Sequence, residues 1–156
     1  MTAIVVRELR PGEMPVLAAL YGASFDEPYP EPVAASLLRI PGAWCHLAFD
    51  GADGMPVGFA ITRTILDESE LLSIGALPGE RRRGVAMALL DAALAEVRNA
   101  GVKTVHLEVS EDNPGAATLY RKLGFRVTGR RPNYYRRADR RRVAAILMTV
   151  DLTGQQ

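Results

Sequence analysis

A chain of 156 residues with 19 Lys+Arg against 18 Asp+Glu, 48% hydrophobic side chains and one cysteine is expected to form a single domain over residues 1–156. At this length one core buries roughly 70% of the surface that the unfolded chain exposes, so no disulfide or metal staple is required, and the longest apolar runs, such as Val143 to Met148, are far short of the roughly 20 residues of a membrane helix. The first nine residues include Arg7 and Glu8 and lack the apolar stretch of a secretory leader, and a lone Cys45 suits a reducing compartment, so a cytoplasmic protein without a membrane partner is expected.

Residues 3–9 alternate weakly and stop before Pro11-Gly12, which predicts a first strand and a turn. Residues 13–24 carry Leu17, Leu20 and Tyr21 at helical spacing. A second, short helix is predicted after Pro30-Glu31-Pro32, with Val33, Leu37 and Leu38 inward. Residues 44–49 and 55–65 read as strands of a hairpin around Asp50-Gly51-Ala52-Asp53-Gly54, a loop longer than the two-residue ideal. Residues 70–77 continue as a strand. Residues 87–100 form a helix with Leu89, Leu90, Ala93, Leu94 and Val97 on one stripe, closed by Gly101. Residues 104–110 alternate as a strand, with Val105, Leu107 and Val109 on one face and Thr104, His106 and Glu108 on the other. Asn113 as cap and Pro114 at the first position open the next helix, with Leu119 and Leu123 inward and Gly124 as its stop. Residues 125–130 and 143–152 supply the last strands, separated by a basic loop. The order β-α-α-β-β-β-α-β-α-β-β describes an α/β sandwich.

Between the strand at 70–77 and the helix at 87–100 lies Arg81-x-x-Gly84-x-Ala86. The first N–H groups of a helix have no intrahelical partner and sit at the positive end of its dipole. Gly84 and Ala86 leave room for a phosphate to approach the backbone, and Arg81, Arg82 and Arg83 add positive charge. A solvated basic turn is the alternative reading of the same residues. The formal charge of +1 is itself a cancellation. Residues 1–80 hold 4 basic and 11 acidic side chains, net −7, and residues 81–156 hold 15 and 7, net +8. The basic surplus begins where an anionic ligand would need it, and the acidic half is left to face a cationic one.

Three strings occur in order: Glu70-Leu-Leu-Ser-Ile-Gly-Ala-Leu-Pro running on to Ala86, Leu107-Glu-Val-Ser-Glu-Asp-Asn113-Pro, and Ala117-Thr-Leu-Tyr120-Arg-Lys-Leu-Gly-Phe125. Together they resemble the GNAT acetyltransferase superfamily, and the element order matches over residues 3–152. The resemblance implies the GNAT acyl-CoA N-acyltransferase fold, a mixed, mostly antiparallel sheet flanked by about four helices. It implies acetyl-CoA as cosubstrate and no metal. Ile74, Gly75 and Ala76 would pair with the pantetheine arm, and the loop Arg81, Arg82, Arg83, Gly84, Val85, Ala86 and Met87 would take the pyrophosphate.

Within the superfamily, Leu107-Glu108-Val109 and Arg130-Arg-Pro-Asn-Tyr-Tyr135 resemble the RimI type, which acetylates the N-terminal alanine amine of a small-subunit ribosomal protein. That resemblance implies Glu108 as general base, Asn113 as a coenzyme contact and Tyr120 as general acid. It also implies that residues 21–32 and 130–142 frame the acceptor. Two positions depart from the type: Tyr29 stands where Trp is usual, and Val143-Ala144 where an acidic residue is usual.

Each residue also has a structural reading. Tyr120 fits a core aromatic, Asn113 a helix cap and Glu108 a solvated strand carboxylate. His106, His46 and Cys45 are expected to be structural, since no Cys/His/Asp cluster has metal-ligand spacing. The segment 130–142, with Tyr134 and Tyr135 interleaved, is expected to be solvated; no nucleic-acid partner is expected, because the chain is not strongly basic and no nucleic-acid fold motif appears.

The expected chemistry is direct attack of a neutral amine on the thioester. An α-amine of pKa near 7.8 is about one-tenth neutral at pH 7, whereas a lysine is neutral at a few parts in ten thousand. A carboxylate is therefore a sufficient base for an N-terminal amine. The alternatives are a GNAT enzyme acting on a small amine such as an antibiotic or polyamine, and a non-catalytic acyl-CoA-binding or RNA-associated protein.

Overall fold

A computed structural model describes residues 3–25 and 33–153. In chain order the elements are β1 (Ile4–Glu8), α1 (Met14–Ser24), α2 (Val33–Leu38), β2 (Ala43–Asp50), β3 (Pro56–Ile65), β4 (Glu68–Ala76), a 3-10 turn (Pro78–Arg83), α3 (Val85–Asn99), β5 (Thr104–Ser110), α4 (Pro114–Lys122), β6 (Arg126–Arg136) and β7 (Arg142–Asp151). Among the described residues the strands form one seven-stranded sheet, β1-β2-β3-β4-β5-β7-β6. Every neighbouring pair is antiparallel except β4 with β5. A parallel pair needs a crossover, and α3 supplies it. This is the mixed, mostly antiparallel sheet with four helices that the sequence resemblance implies.

Alternation along the strands decides which helix each side chain meets. Cys45, Leu47, Phe59 and Ile61 pack with Leu17, Leu20 and Tyr21 of α1 and Ala34 of α2. Ala48, Ala60 and Ala76 face the other way, onto Val85 and Leu89 of α3. Val105, Leu107 and Val109 of β5 join Leu90, Leu94 and Val97 of α3 and Tyr120 of α4 on that same face. Gly75 looks toward α1, and a Cβ there would stand 2.7 Å from Phe59 Cε1 and 2.8 Å from Ser24 Cβ. Gly75→Ala is therefore expected to cost about 1–3 kcal/mol through overpacking, lowering Tm by roughly 2–4 °C for each kcal/mol. A melting temperature equal to that of the parent would show that α1 yields freely.

Two features differ from the sequence expectation. β6 does not stop at residue 130 but runs to Arg136, so half of the expected basic loop is strand. β6 is the outer strand and is exposed along almost its whole length, so no apolar alternation marks it. Its pairing with β7 keeps it extended through register shifts between Val127 and Gly129 and between Arg131 and Tyr135. On α4 the buried residue is Tyr120, whereas Leu119 and Leu123 are only partly covered.

Candidate active site

β4 and β5 pair over three positions only: Glu68 with Thr104, Ser69 with Val105 and Glu70 with His106. Beyond them β4 continues to Ala76 paired with β3, and β5 continues to Ser110 paired with β7. The divergence begins at a bulge. Thr62 pairs with Leu71 and Ile61 with Ser73, so Leu72 is an extra residue in β4. A bulge bends its strand and increases the local twist. Residues 71–76 and 107–110 consequently face each other across a wedge-shaped slot without strand pairing. Ile74, Gly75 and Ala76 lie on its β4 edge. Such an edge offers backbone N–H and C=O groups to an extended, amide-bearing ligand.

The N-terminus of α3 follows the end of β4. Gly84 caps it at φ +78°, and a Cβ built there would meet nothing within 4 Å. Among the described residues no side chain caps this helix, and its first internal bond runs from Ala88 N–H to Gly84 C=O at 3.0 Å. The N–H groups of Val85, Ala86 and Met87 therefore have no intrahelical acceptor and carry the positive end of a 15-residue helix. The neighbouring arginines brace the turn. Arg81 donates from Nη2 to Ser24 O at 2.6 Å and from Nε to Ala76 O at 3.4 Å, tying the end of α1 to the end of β4. Arg83 donates to Glu80 Oε1 and to Asp50 Oδ1, each at 2.9 Å. The side chain of Arg82 lies outside the described residues. The capacity of this turn for an anion thus resides first in the backbone N–H groups.

Glu108 and Tyr120 stand on opposite faces of β5. Tyr120 packs with Leu107 and Val109, while Glu108 alternates to the other side. There Glu108 lines a half-open cavity of about 250 Å³ with Glu70, His106, Thr149 and Arg131. Arg131 Nη2 stands 3.6 Å from Glu108 Oε1. The His106 ring is held at both nitrogens, Nε2 at 2.9 Å from Glu68 Oε1 and Nδ1 at 3.0 Å from Thr149 Oγ1. Tyr120 is 5% exposed and packs edge-on against Phe125. Burial, with a smaller contribution from Tyr135, pushes its hydroxyl up to about 12. Asn113 caps α4, its Oδ1 accepting from Ala116 N–H at 3.2 Å.

Cys45 and His46 are core residues, each 4% exposed. Burial pushes the Cys45 thiol up to about 12 and lowers the His46 imidazole. Neither thiolate nor imidazolium is favoured there. Among the described residues no group of three or more His, Cys, Asp or Glu side chains is placed to hold a metal, and no helix is long and apolar enough to cross a membrane. Of the segment expected to frame the acceptor, residues 26–32, including Tyr29, lie outside the described residues. Sequence reasoning missed Arg131 beside Glu108, because that placement depends on how β6 pairs with β7.

The profile of the Acetyltransferase (GNAT) family matches residues 14–125. The chain is 40% identical over 95 residues to the [ribosomal protein bS18]-alanine N-acetyltransferase of Escherichia coli strain K12, a match spanning 61% of this chain and 64% of that protein. It is 34% identical over 118 residues to the protein of the same name from Haemophilus ducreyi, covering 75% and 81% of the two chains. The crystal structure of the ribosomal-protein-S18-alanine N-acetyltransferase from Escherichia coli superposes with a TM-score of 0.87 at 29% identity, over 98% of this chain and 96% of that one. NAA60 of Arabidopsis thaliana, in complex with acetyl-CoA, shares the fold with a TM-score of 0.80 at 20% identity, over 97% and 100% of the chains.

Proposed function

We propose that this chain, which belongs to the GNAT acetyltransferase family, transfers the acetyl group of acetyl-CoA to the N-terminal α-amine of a protein. The observation that carries the reading is the slot between β4 and β5, with Glu108 on one face of its β5 wall and Tyr120 on the other. The relatives named as alanine N-acetyltransferases of a ribosomal protein support a ribosomal protein N-terminus as the acceptor.

The residues present fit the cosubstrate. The unpaired edge at Ile74, Gly75 and Ala76 suits an amide-bearing arm, and the N–H groups of Val85, Ala86 and Met87 suit a pyrophosphate. When bound, acetyl-CoA supplies an activated acyl group as a thioester. Glu108 orients the acceptor amine and takes its proton, directly or through one water. Arg131 Nη2 lies beside the Glu108 carboxylate. Leu77 N–H is taken by Val57 C=O, so the backbone N–H groups of residues 74–76 that do not pair with β3 would be the donors to the carbonyl oxygen as charge develops on it. Tyr120 gives its proton to the departing sulfur. Asn113 keeps α4, and with it Tyr120, in register with β5 while also reaching the coenzyme.

The test is thiol release from acetyl-CoA with peptides beginning in Ala, Ser or Met beside small amines such as polyamines. Release with an N-terminal peptide is expected. Release with small amines alone would move the acceptor to that class, and no release with any acceptor would remove the enzyme reading. Gly84→Ala separates the phosphate loop from the fold. The added methyl meets open space, so the stability cost is the left-handed backbone term alone, about 1 kcal/mol. Acetyl-CoA affinity measured by calorimetry is expected to fall further, by about tenfold, because the methyl occupies the approach to the N–H groups. An unchanged affinity would move the pyrophosphate elsewhere.

A further inference from the structure

Between Arg121 and Arg142 lie ten basic residues and one acid, Asp139, and the fold sorts them. Arg130 is held by Glu111 at 2.8 Å, Arg137 by Asp112 at 2.6 Å and Arg141 by Asp139 at 2.7 Å, and Arg131 faces Glu108. Six of the ten have no such partner among the described residues. Arg121, Lys122 and Arg126 lie on α4 and at the start of β6, and Arg136, Arg140 and Arg142 are gathered at the tip of the β6–β7 hairpin. Arg136 and Arg142 are direct cross-strand partners, and the turn between them, closed by Arg137 N–H to Arg141 C=O, holds Arg140 at φ +71°.

Like charges facing each other across strands destabilise the pair unless something else supplies the opposite charge. The same hairpin presents a second, independent feature. Tyr134 is 49% exposed, two residues from Arg136. Its ring is steadied edge-on by Tyr135 at 5.1 Å, and the Arg131 guanidinium stands 5.5 Å from its centre. A steadied, exposed aromatic ring beside guanidiniums is what an unstacked base and its flanking phosphates require. The ring adds a stacking face for a base, a term that the carboxylates of an acidic peptide do not use. β6 is the outer strand, so among the described residues no further strand of the sheet covers this side.

We infer that the tip of the β6–β7 hairpin binds single-stranded nucleic acid, with Arg136, Arg140 and Arg142 on phosphates and Tyr134 beneath a base. The tip lies within the segment 130–142 that the resemblance sets around the acceptor, and its test uses no activity measurement, so its outcome is read separately from acetyl transfer. Fluorescence anisotropy of the full chain with a labelled oligouridylate and its deoxy counterpart, at rising salt, reads both terms and separates RNA from DNA. The parent is expected to bind, and Arg136→Gln/Arg140→Gln/Arg142→Gln to reduce the slope of log affinity against log salt by about 2, at roughly 0.7 per phosphate on a single strand. The corresponding triple Lys variant is expected to keep the slope. Tyr134→Ala is expected to weaken binding about tenfold with the slope unchanged, since a stacking contact carries no charge. Single Arg→Gln variants, each lowering the slope by about 0.7, keep the test readable should the triple variant not fold. Absence of binding at low salt, or a triple Gln variant that binds like the parent, would overturn the inference. Capture of polyglutamate as tightly as the oligonucleotide, with Tyr134→Ala without effect, would assign the tip to an acidic protein instead.

Discussion

Replacing Tyr120 by Phe is expected to lower kcat by about 10²–10⁴-fold, the range for losing one positioned proton donor, with acetyl-CoA binding and the fold retained. The substitution removes only an oxygen. The ring keeps its edge contact with Phe125 and its place among Leu107 and Val109, and the hydroxyl makes no hydrogen bond among the described residues whose loss would cost stability. The sign of the pKa shift matters to the role. Burial penalises the phenolate, so the hydroxyl is pushed up to about 12 and keeps its proton throughout the neutral and mildly alkaline range. kcat is therefore expected to show no decline between about pH 8 and pH 10 that Tyr120→Phe abolishes, whereas a phenol of ordinary pKa near 10 would produce one. The check is a pH–rate profile of both proteins with a saturating N-terminal peptide. Equal kcat for parent and Phe variant, with coenzyme still bound, would remove Tyr120 from the chemistry and leave it a core aromatic.

Glu108→Gln is expected to produce the second large loss, about 100-fold or more in kcat at pH 7, and this loss should depend on pH. An N-terminal α-amine of pKa about 7.7–8.0 is mostly protonated at pH 7 and mostly neutral by about pH 9. A base is needed most where the amine still carries its proton, so the deficit of the variant should shrink by up to about tenfold across that interval. Stability should barely change. The Arg131 pair at 3.6 Å is partly solvent-exposed on both sides, with side-chain exposures of 54% and 24%, and such surface pairs contribute about 0–1 kcal/mol. Parallel profiles for the two proteins, separated by a constant factor, would contradict a proton-accepting role and leave Glu108 as a residue that positions the acceptor. Melting curves of the same samples distinguish either outcome from misfolding.

Much of the architecture is legible in the sequence because short-range patterns encode it. β5 is readable residue by residue, since Val105, Leu107 and Val109 alternate with Thr104, His106 and Glu108 and the structure buries the first set. The five apolar residues predicted for the stripe of α3 are all buried. Asn113 caps α4 as its residue type and the following proline require. The β6 extension was not legible, because an exposed outer strand of arginines and tyrosines carries no period of two. Nor were the fates of Arg81 and Arg83. Three adjacent arginines look equivalent in a string, and only the packing of α1, β2 and β4 around the turn binds one to Ser24 and Ala76 and another to Asp50 and Glu80.

The candidate site divides along the same line. Residue types and local spacing determined by themselves that a strand, a glycine turn and a helix N-terminus follow one another at Gly84, and that a carboxylate and a tyrosine sit on the next strand and helix. These are properties of a few consecutive residues. Tertiary structure alone decided that β4 and β5 part after three pairs, that Arg131 meets Glu108, and that Arg136, Arg140 and Arg142 collect unpaired at one tip. Each of these depends on the register between strands far apart in the chain, such as Arg131 opposite Ala145. Register follows from burial of whole faces, from one extra residue at Leu72 and from the irregular pairing of β6, none of which a local pattern carries.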